Sequence, residues 1–187
     1  AALEQQRLLA ELRPGFKRDF GVDIFVRMGL NSGTVSAGNM GSERRFSYTV
    51  MGDAVNQAAR FEPTNKVYGT DIMIGQSTYE LAKAHIEARL LDLIVVKGKT
   101  EPVEVYEVLD FHTDETFPNL MEAVNHFKSG RQFYNKGDWD KAIKAFNEAI
   151  GLNPNDKLAH TYIGRCEQLK AEPPEGEWNG VWVMTSK

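Results

Sequence analysis

The sequence predicts an α+β domain over residues 1–110, followed by an all-α segment over residues 119–170. Strand-like and helical patterns intermix up to Asp110, which is typical of a layered domain with helices on a sheet. A polar linker over residues 111–118 comes next, and from Leu120 onward only helical spacing recurs. The tail, residues 171–187, contains two prolines and two tryptophans. We expect it to be extended and packed against the rest of the protein, because exposed tryptophans would form an apolar surface patch.

The elements of the first domain are predicted from apolar spacing and from helix signals. Apolar residues at helical spacing predict the first helix, with a kink or a restart at Pro14. Ser77, with Glu80 three residues later, has the pattern of a capping box and is expected to cap a helix. The predicted helices span 1–20, 53–62 (limited by Pro63) and 77–85, and the predicted strands span 23–33, 46–51, 71–74, 90–96 and 103–109.

The composition is that of a soluble globular protein. The 187 residues are 42% hydrophobic and 26% charged, with a net charge of −4, which excludes a disordered chain and argues against a nucleic-acid binder. No apolar run approaches the roughly 20 residues that a membrane helix needs. The single cysteine, Cys166, fits a reducing, cytoplasmic setting, and we expect it to be a packed, inert thiol. Because the chain does not begin with methionine, we expect a longer parent protein, whose membrane attachment upstream is left open.

The chemistry of the chain is concentrated in residues 46–60. A β-prone run ends at Met51, and Gly52 and Asp53 form a turn into a helix of small residues. Asp53 is predicted to cap this helix rather than to bind a metal. Asn56 and Arg60 lie four residues apart, so they project from one helix face. An amide and a guanidinium on one face indicate a polar site rather than a core.

The all-α segment contains a repeat. Residues 123–156 match the 34-residue helix-turn-helix repeat of the tetratricopeptide (TPR) type, and a second repeat begins at Ala159 but stops near Lys170, which leaves a capping helix. A free-standing array needs about three such repeats, so this one is expected to pack against the α+β domain or against another chain. The matching positions are Gly130, Phe133, Gly137, Ala142, Phe146, Ala149 and Pro154.

Three segments together resemble the class III nucleotidyl cyclases, the adenylate and guanylate cyclase family. They are GLNSGTVSAGNMGS (29–42), YTVMGDAVNQAAR (48–60) and VKGKT (96–100). The resemblance covers residues 1–109 and implies the ferredoxin-like fold of that family without its N-terminal strands, whose absence would leave open sheet edges. The TPR hairpin and capping helix would be an accessory region.

The resemblance also implies a role for each matching residue. Thr49 falls where the family contacts the purine, and threonine there favours ATP. Asn56 falls where the ribose is oriented, and Arg60 falls where the transition state is stabilised. Lys97 falls where the terminal phosphates are held, with Lys99 as the alternative.

The implied reaction converts ATP to 3′,5′-cyclic AMP and pyrophosphate at the interface of a cyclase dimer, most simply a homodimer. Mg²⁺ or Mn²⁺ would be bound by aspartates that lie on stretches absent from this chain, so we expect the chain alone to be inactive. The alternative is a protein-interaction or regulatory module, acting through the TPR repeat, on an inactive pseudo-cyclase that binds nucleotide. A protein partner that binds the TPR repeat is compatible with both the active cyclase and the inactive pseudo-cyclase.

Overall fold

The computed structural model describes residues 1–42, 45–94, 102–174, 176 and 178–182. In these ranges the helices are α1 (Ala2–Phe20), α2 (Asp53–Tyr68), α3 (Gln76–Ala82), α4 (Leu120–Asn135), α5 (Trp139–Leu152) and α6 (Lys157–Ala171). The strands are β1 (Met28–Leu30), β2 (Ser36–Ser42), β3 (Arg45–Met51), β4 (Ile72–Gly75), β5 (Ala88–Ile94) and β6 (Val103–Val108). The mixed α/β domain followed by helices confirms the predicted fold class.

Two separate sheets organise the first domain. The larger sheet has the strand order β1-β4-β6-β5, in which β1 is parallel to β4 and the other pairs are antiparallel. The smaller sheet is the β2–β3 hairpin. Within the described ranges β1 pairs with β4 alone, so the outer edge of β1 carries no strand. This open edge agrees with the expectation from the resemblance.

The strand predicted over residues 23–33 is wrong for most of its length, because only Met28–Leu30 forms a ladder. Side chains of α1 bond the preceding carbonyl groups instead. Gln6 donates to the Val26 carbonyl at 2.7 Å, and Arg13 donates to the Ile24 carbonyl at 3.0 Å. A segment bonded in this way is held against a helix without becoming a strand.

The helix end predicted at Pro63 is also wrong. Pro63 does not end α2, which continues to Tyr68, where Gly69 closes it with a φ of 71°. The burial of Phe61, Asn65 and Tyr68 stabilises the helix on both sides of the proline. Pro14 lies inside α1, which is continuous from Ala2 to Phe20, so the helix does not restart there.

Neither predicted capping side chain is a cap. Gly52 is the N-cap of α2, and Asp53 is its first helical residue. Gly75 caps α3, and Ser77 instead bonds to the loop that follows β1.

The TPR helices pack on the first domain, as predicted. One apolar core contains Phe61 and Leu91 of the first domain together with Phe127, Phe146 and Tyr162 of the helices. Gly130 permits the close contact of α4 and α5, because a Cβ there would lie 2.5 Å from the Phe146 ring. Within the described part of the chain, no helix is both long and apolar enough to cross a membrane.

Candidate functional site on strand β3 and helix α2

Helix α2 has a buried face and an exposed polar face. Phe61, Asn65 and Tyr68 are at most 1% exposed, whereas Asn56 and Arg60 are exposed. Successive residues of a helix are about 100° apart, so Arg60 projects well away from the neighbouring Phe61. The helix therefore presents an amide and a guanidinium to solvent along one side.

Strand β3 places Thr49 just before this helix. Thr49 is exposed and pairs with Gly38 of β2, a residue without a side chain. The chain leaves β3 at Met51 and enters α2 at Asp53. A single strand-turn-helix unit thus carries Thr49, Asn56 and Arg60, whereas Lys97 and Lys99 lie outside the described residues.

A network of side-chain hydrogen bonds fixes the first turns of α2. Gln57 Nε2 donates to Asp53 Oδ2 at 3.2 Å, and Asn31 Nδ2 donates to Gln57 Oε1 at 2.8 Å. Ser77 Oγ lies 3.0 Å from Asn31 Oδ1 and donates to the Ser32 carbonyl at 2.7 Å. The loop after β1 is thereby bonded to both α2 and α3. We did not predict this network, and the only signal for it was the polar Asn31-Ser32 pair among the glycines.

Glycines bring α2 close to β1. A Cβ on Gly29 would lie 2.5 Å from the Ala58 carbonyl oxygen and 2.6 Å from the Glu62 nitrogen. A Cβ on Gly33 would lie 2.7 Å from that of Ala54. These distances leave no room for a side chain, so the two glycines permit close backbone packing against α2.

The middle of α2 is anchored by a buried amide. Asn65 Nδ2 donates to the Met28 carbonyl at 2.9 Å, and Asn65 Oδ1 accepts from Thr70 Oγ1 at 2.7 Å. Because Asn65 is fully buried and its amide is bonded on both sides, it sets the position of the helix relative to β1.

The C-terminal end of α2 is bonded to the TPR helices through Asp92 of β5. Tyr68 Oη donates to Asp92 Oδ2 at 2.6 Å, and Arg165 Nη1 donates to the same oxygen at 2.6 Å. Tyr162 Oη donates to the Leu91 carbonyl at 2.7 Å. Burial, together with the Asp92 carboxylate, raises the pKa of Tyr68 above its usual range, so this hydroxyl stays a neutral donor.

A second buried group of ion pairs joins the first domain to the TPR helices. Arg89 of β5 contacts Glu107 of β6 at 2.6 Å and Asp156, the N-cap of α6, at 2.6 Å. Burial alone would lower the pKa of Arg89, but the two carboxylates raise it above its usual value. The guanidinium is therefore charged and paired on both sides of the interface.

The described residues supply no metal site. They contain no group of three or more His, Cys, Asp or Glu side chains that could bind a metal ion. The side chain of Asp53 contacts Gln57 on its own helix.

Comparison with known proteins assigns the chain to a family. Residues 7–110 match the family model of the adenylate and guanylate cyclase catalytic domain, and residues 130–165 match a TPR repeat. The chain therefore belongs to the adenylate and guanylate cyclase catalytic domain family, and it continues into a TPR repeat. Both parts of the predicted family resemblance are confirmed.

The similar curated proteins are much longer than this chain. A terminal-differentiation-specific adenylate cyclase of Dictyostelium discoideum is 35% identical over 144 residues, which are 75% of this chain and 7% of that protein. Adenylate cyclase 1 of Rhizobium meliloti is 36% identical over 105 residues, which are 56% of this chain and 14% of that protein.

Two solved structures have a similar fold. The adenylyl cyclase CyaB from P. aeruginosa is 32% identical, with a TM-score of 0.52 over 60% of this chain and 57% of that chain. A bacterial light-regulated adenylyl cyclase is 26% identical, with a TM-score of 0.52 over 64% of this chain and 33% of that chain.

Proposed function

We propose that the full-length protein is an adenylate cyclase that converts ATP to 3′,5′-cyclic AMP and pyrophosphate. In this proposal the present chain supplies the groups that hold the substrate. The observation that carries it is the exposed pair of Asn56 and Arg60 on α2, directly after the strand that exposes Thr49. The similar proteins named above support the choice of ATP, since they are adenylate or adenylyl cyclases by name.

The reaction requires stabilisation of negative charge on one phosphate. The ribose 3′-oxygen attacks the α-phosphorus and forms a new P–O bond, while the bond to pyrophosphate breaks and the 3′-hydroxyl proton is lost. Charge builds on the α-phosphate oxygens in the transition state. A guanidinium suits this task because its planar N–H donors pair with phosphate oxygens, and we assign it to Arg60.

The other assignments follow from the chemistry of each side chain. Asn56 can donate to and accept from a sugar hydroxyl, and it lies one helical turn before Arg60 on the same face. Thr49 offers an exposed hydroxyl near the end of β3 and is assigned to the purine. Lys97 is assigned to the terminal phosphates.

The contacts around α2 fix the helix that carries Asn56 and Arg60 before the substrate binds. Asp53, Gln57, Asn31 and Ser77 fix its first turns, and Asn65 fixes its middle. Preorganised donors stabilise a transition state without reorganising during the reaction.

The metal is expected to come from elsewhere in the assembly. Cyclases of this class use Mg²⁺ or Mn²⁺, and the described residues offer no cluster that would bind one. We assign the metal to aspartates of the full-length protein outside this chain, facing the α2 residues across a homodimer interface. The metal would neutralise the phosphates when it is bound.

Turnover of purified full-length protein with ATP and with GTP tests the substrate assignment. We expect cyclic AMP and pyrophosphate in equal amounts from ATP, and little product from GTP. A strong preference for GTP would contradict the role of Thr49. If a non-cyclisable ATP analogue bound with no turnover of ATP at all, the protein would be a nucleotide-binding pseudo-cyclase instead.

A further inference from the structure

A cavity of about 410 Å³ lies between the sheet of the cyclase domain and the TPR helix α4. Its walls come from α3, β5, β6 and α4, so it exists only because the cyclase domain and the TPR helices are packed together. Pockets that bind small molecules have volumes of about 300–1,000 Å³ and often lie between domains. The cavity is separate from the exposed α2 face, because none of its lining residues belongs to β3 or α2.

The cavity is lined by a buried cation that forms no ion pair with the described residues. Arg131 of α4 is 5% exposed, and its Nη1 donates to the Leu90 carbonyl at 3.2 Å. Arg89 and Arg165 are buried to the same degree, and each has a carboxylate partner at 2.6 Å. Among the described residues, Arg131 has no carboxylate within ion-pair distance. Burying an unpaired charge is unfavourable, so an anion in the cavity would supply the missing partner.

A second cation lies on the same side of α4. Lys128 precedes Arg131 by three residues, so both side chains project from one helix face, and both line the cavity. Lys128 is exposed, which places its charge where a ligand can enter. Glu87 also lines the cavity, but it is exposed just before β5, where solvent weakens its repulsion of an anion.

Other residues of the lining are aromatic or apolar. The rings of Tyr79 and Tyr106 stack with centroids 3.9 Å apart and an angle of 10° between their planes. Leu90 of β5 and Phe127 of α4 also line the cavity. A flat apolar body would fit against these side chains, while its charged group would face Arg131 and Lys128.

We propose that this cavity is a binding site for a small organic anion with a flat apolar body and one carboxylate or similar group. The anion would contact both the cyclase sheet and α4, and it would therefore stabilise their packing. The inference is independent of the reaction catalysed at α2, because it rests only on the cavity between the two parts.

Calorimetric titration of the full 187-residue chain with a naphthoate anion, and with the neutral naphthamide as the matched control, tests the proposal. The carboxylate is expected to bind with a Kd of about 1 mM or below. The amide, which lacks the charge, is expected to bind about tenfold or more weakly. Equal affinity for the two probes, or no binding of naphthoate at about 10 mM, would overturn the proposal.

Variants locate the site. Lys128→Met and Arg131→Met should each weaken naphthoate binding by about tenfold while leaving naphthamide binding unchanged. Lys128 is exposed, so its variant is informative even if Arg131→Met fails to fold. Two control variants should bind like the wild type. Lys136→Met changes the residue that caps the C-terminal end of α4, outside the cavity lining, and Tyr48→Ser lies on the exposed β2–β3 hairpin. Wild-type binding by Lys128→Met, or loss of binding by Tyr48→Ser, would overturn the proposal.

Discussion

Breaking the ion pair between Arg165 and Asp92 should destabilise the chain strongly. The side chains are 5% and 1% exposed, and Nη1 of Arg165 lies 2.6 Å from Oδ2 of Asp92. Arg165→Met removes the cation and leaves the carboxylate buried with only neutral donors, among them the Tyr68 hydroxyl and the Leu93 backbone N–H. Removal of one partner from a buried pair costs about 3–5 kcal/mol.

Urea unfolding of the 187-residue chain measures this loss. With a slope of about 2 kcal/mol per molar urea, a loss of about 4 kcal/mol lowers the midpoint by about 2 M. Arg18→Met is the matched control, because Arg18 pairs with Asp19 at 2.8 Å but its side chain is 77% exposed. This control should lose less than about 1 kcal/mol.

A double variant separates the buried charge from the lost packing. Asp92→Asn combined with Arg165→Met removes both charges and keeps an oxygen that accepts from Tyr68. It should be more stable than Arg165→Met alone. The reasoning would be refuted if Arg165→Met unfolded within about 1 kcal/mol of the wild type, or if the double variant were the less stable of the two.

Three further predictions concern pH, thiol reactivity and the tail. Burial opposes ionisation of Glu107, but Arg89 outweighs it and holds the pKa of Glu107 below its usual range. The free energy of unfolding should therefore fall as the pH drops below about 4.3. Urea titrations at several pH values should show a smaller fall for Glu107→Gln, and an unchanged dependence on pH would contradict the role of Glu107. Burial raises the pKa of Cys166 to about 12. A thiol-reactive disulfide should therefore label this thiol only as urea unfolds the chain, and rapid labelling of the native protein would contradict its burial. Trp178 donates to the Tyr134 carbonyl at 2.9 Å and is half-buried, so Trp178→Ala should lower the free energy of unfolding by about 2 kcal/mol, and an unchanged urea midpoint would leave the tail without a stabilising role.

Local sequence patterns predicted the parts of the fold that depend on local physics. The spacing of Gly130 and Phe146 predicted the helical hairpin, and the two residues do touch. The need to cover two tryptophans predicted a docked tail, and Trp178 packs against Tyr134 and Trp139 with ring centroids 5.3 and 5.4 Å away. These features follow from residues close together in sequence or from strongly apolar side chains.

The polar interface could not be predicted, because its partners are far apart in sequence. Arg89 and Asp156 are separated by 67 residues, and Asp92 and Arg165 by 73 residues. Neither pair has a local signature, since an arginine or an aspartate alone is usually exposed. Only the docking of α6 on β5 brings these charges together.

The errors within the site arose where tertiary contacts override local preference. Pro63 was expected to end α2, but the burial of Asn65 and Tyr68 keeps the helix intact. Residues before Met28 looked like a strand, but their carbonyl groups bond to α1. The assignments of Thr49, Asn56, Arg60 and Lys97 stay predictions, carried by a motif and by the exposed face of α2.

The rate of cyclic AMP formation by full-length Arg60→Ala tests the central claim most directly. Arg18→Ala serves as the control, since Arg18 is an exposed arginine on α1, outside the proposed site. Loss of one preorganised donor to the transition state predicts a fall in kcat of about 10²–10³ for Arg60→Ala and no change for Arg18→Ala. Near-normal turnover by Arg60→Ala would contradict the proposal that α2 carries the group that stabilises the transition state.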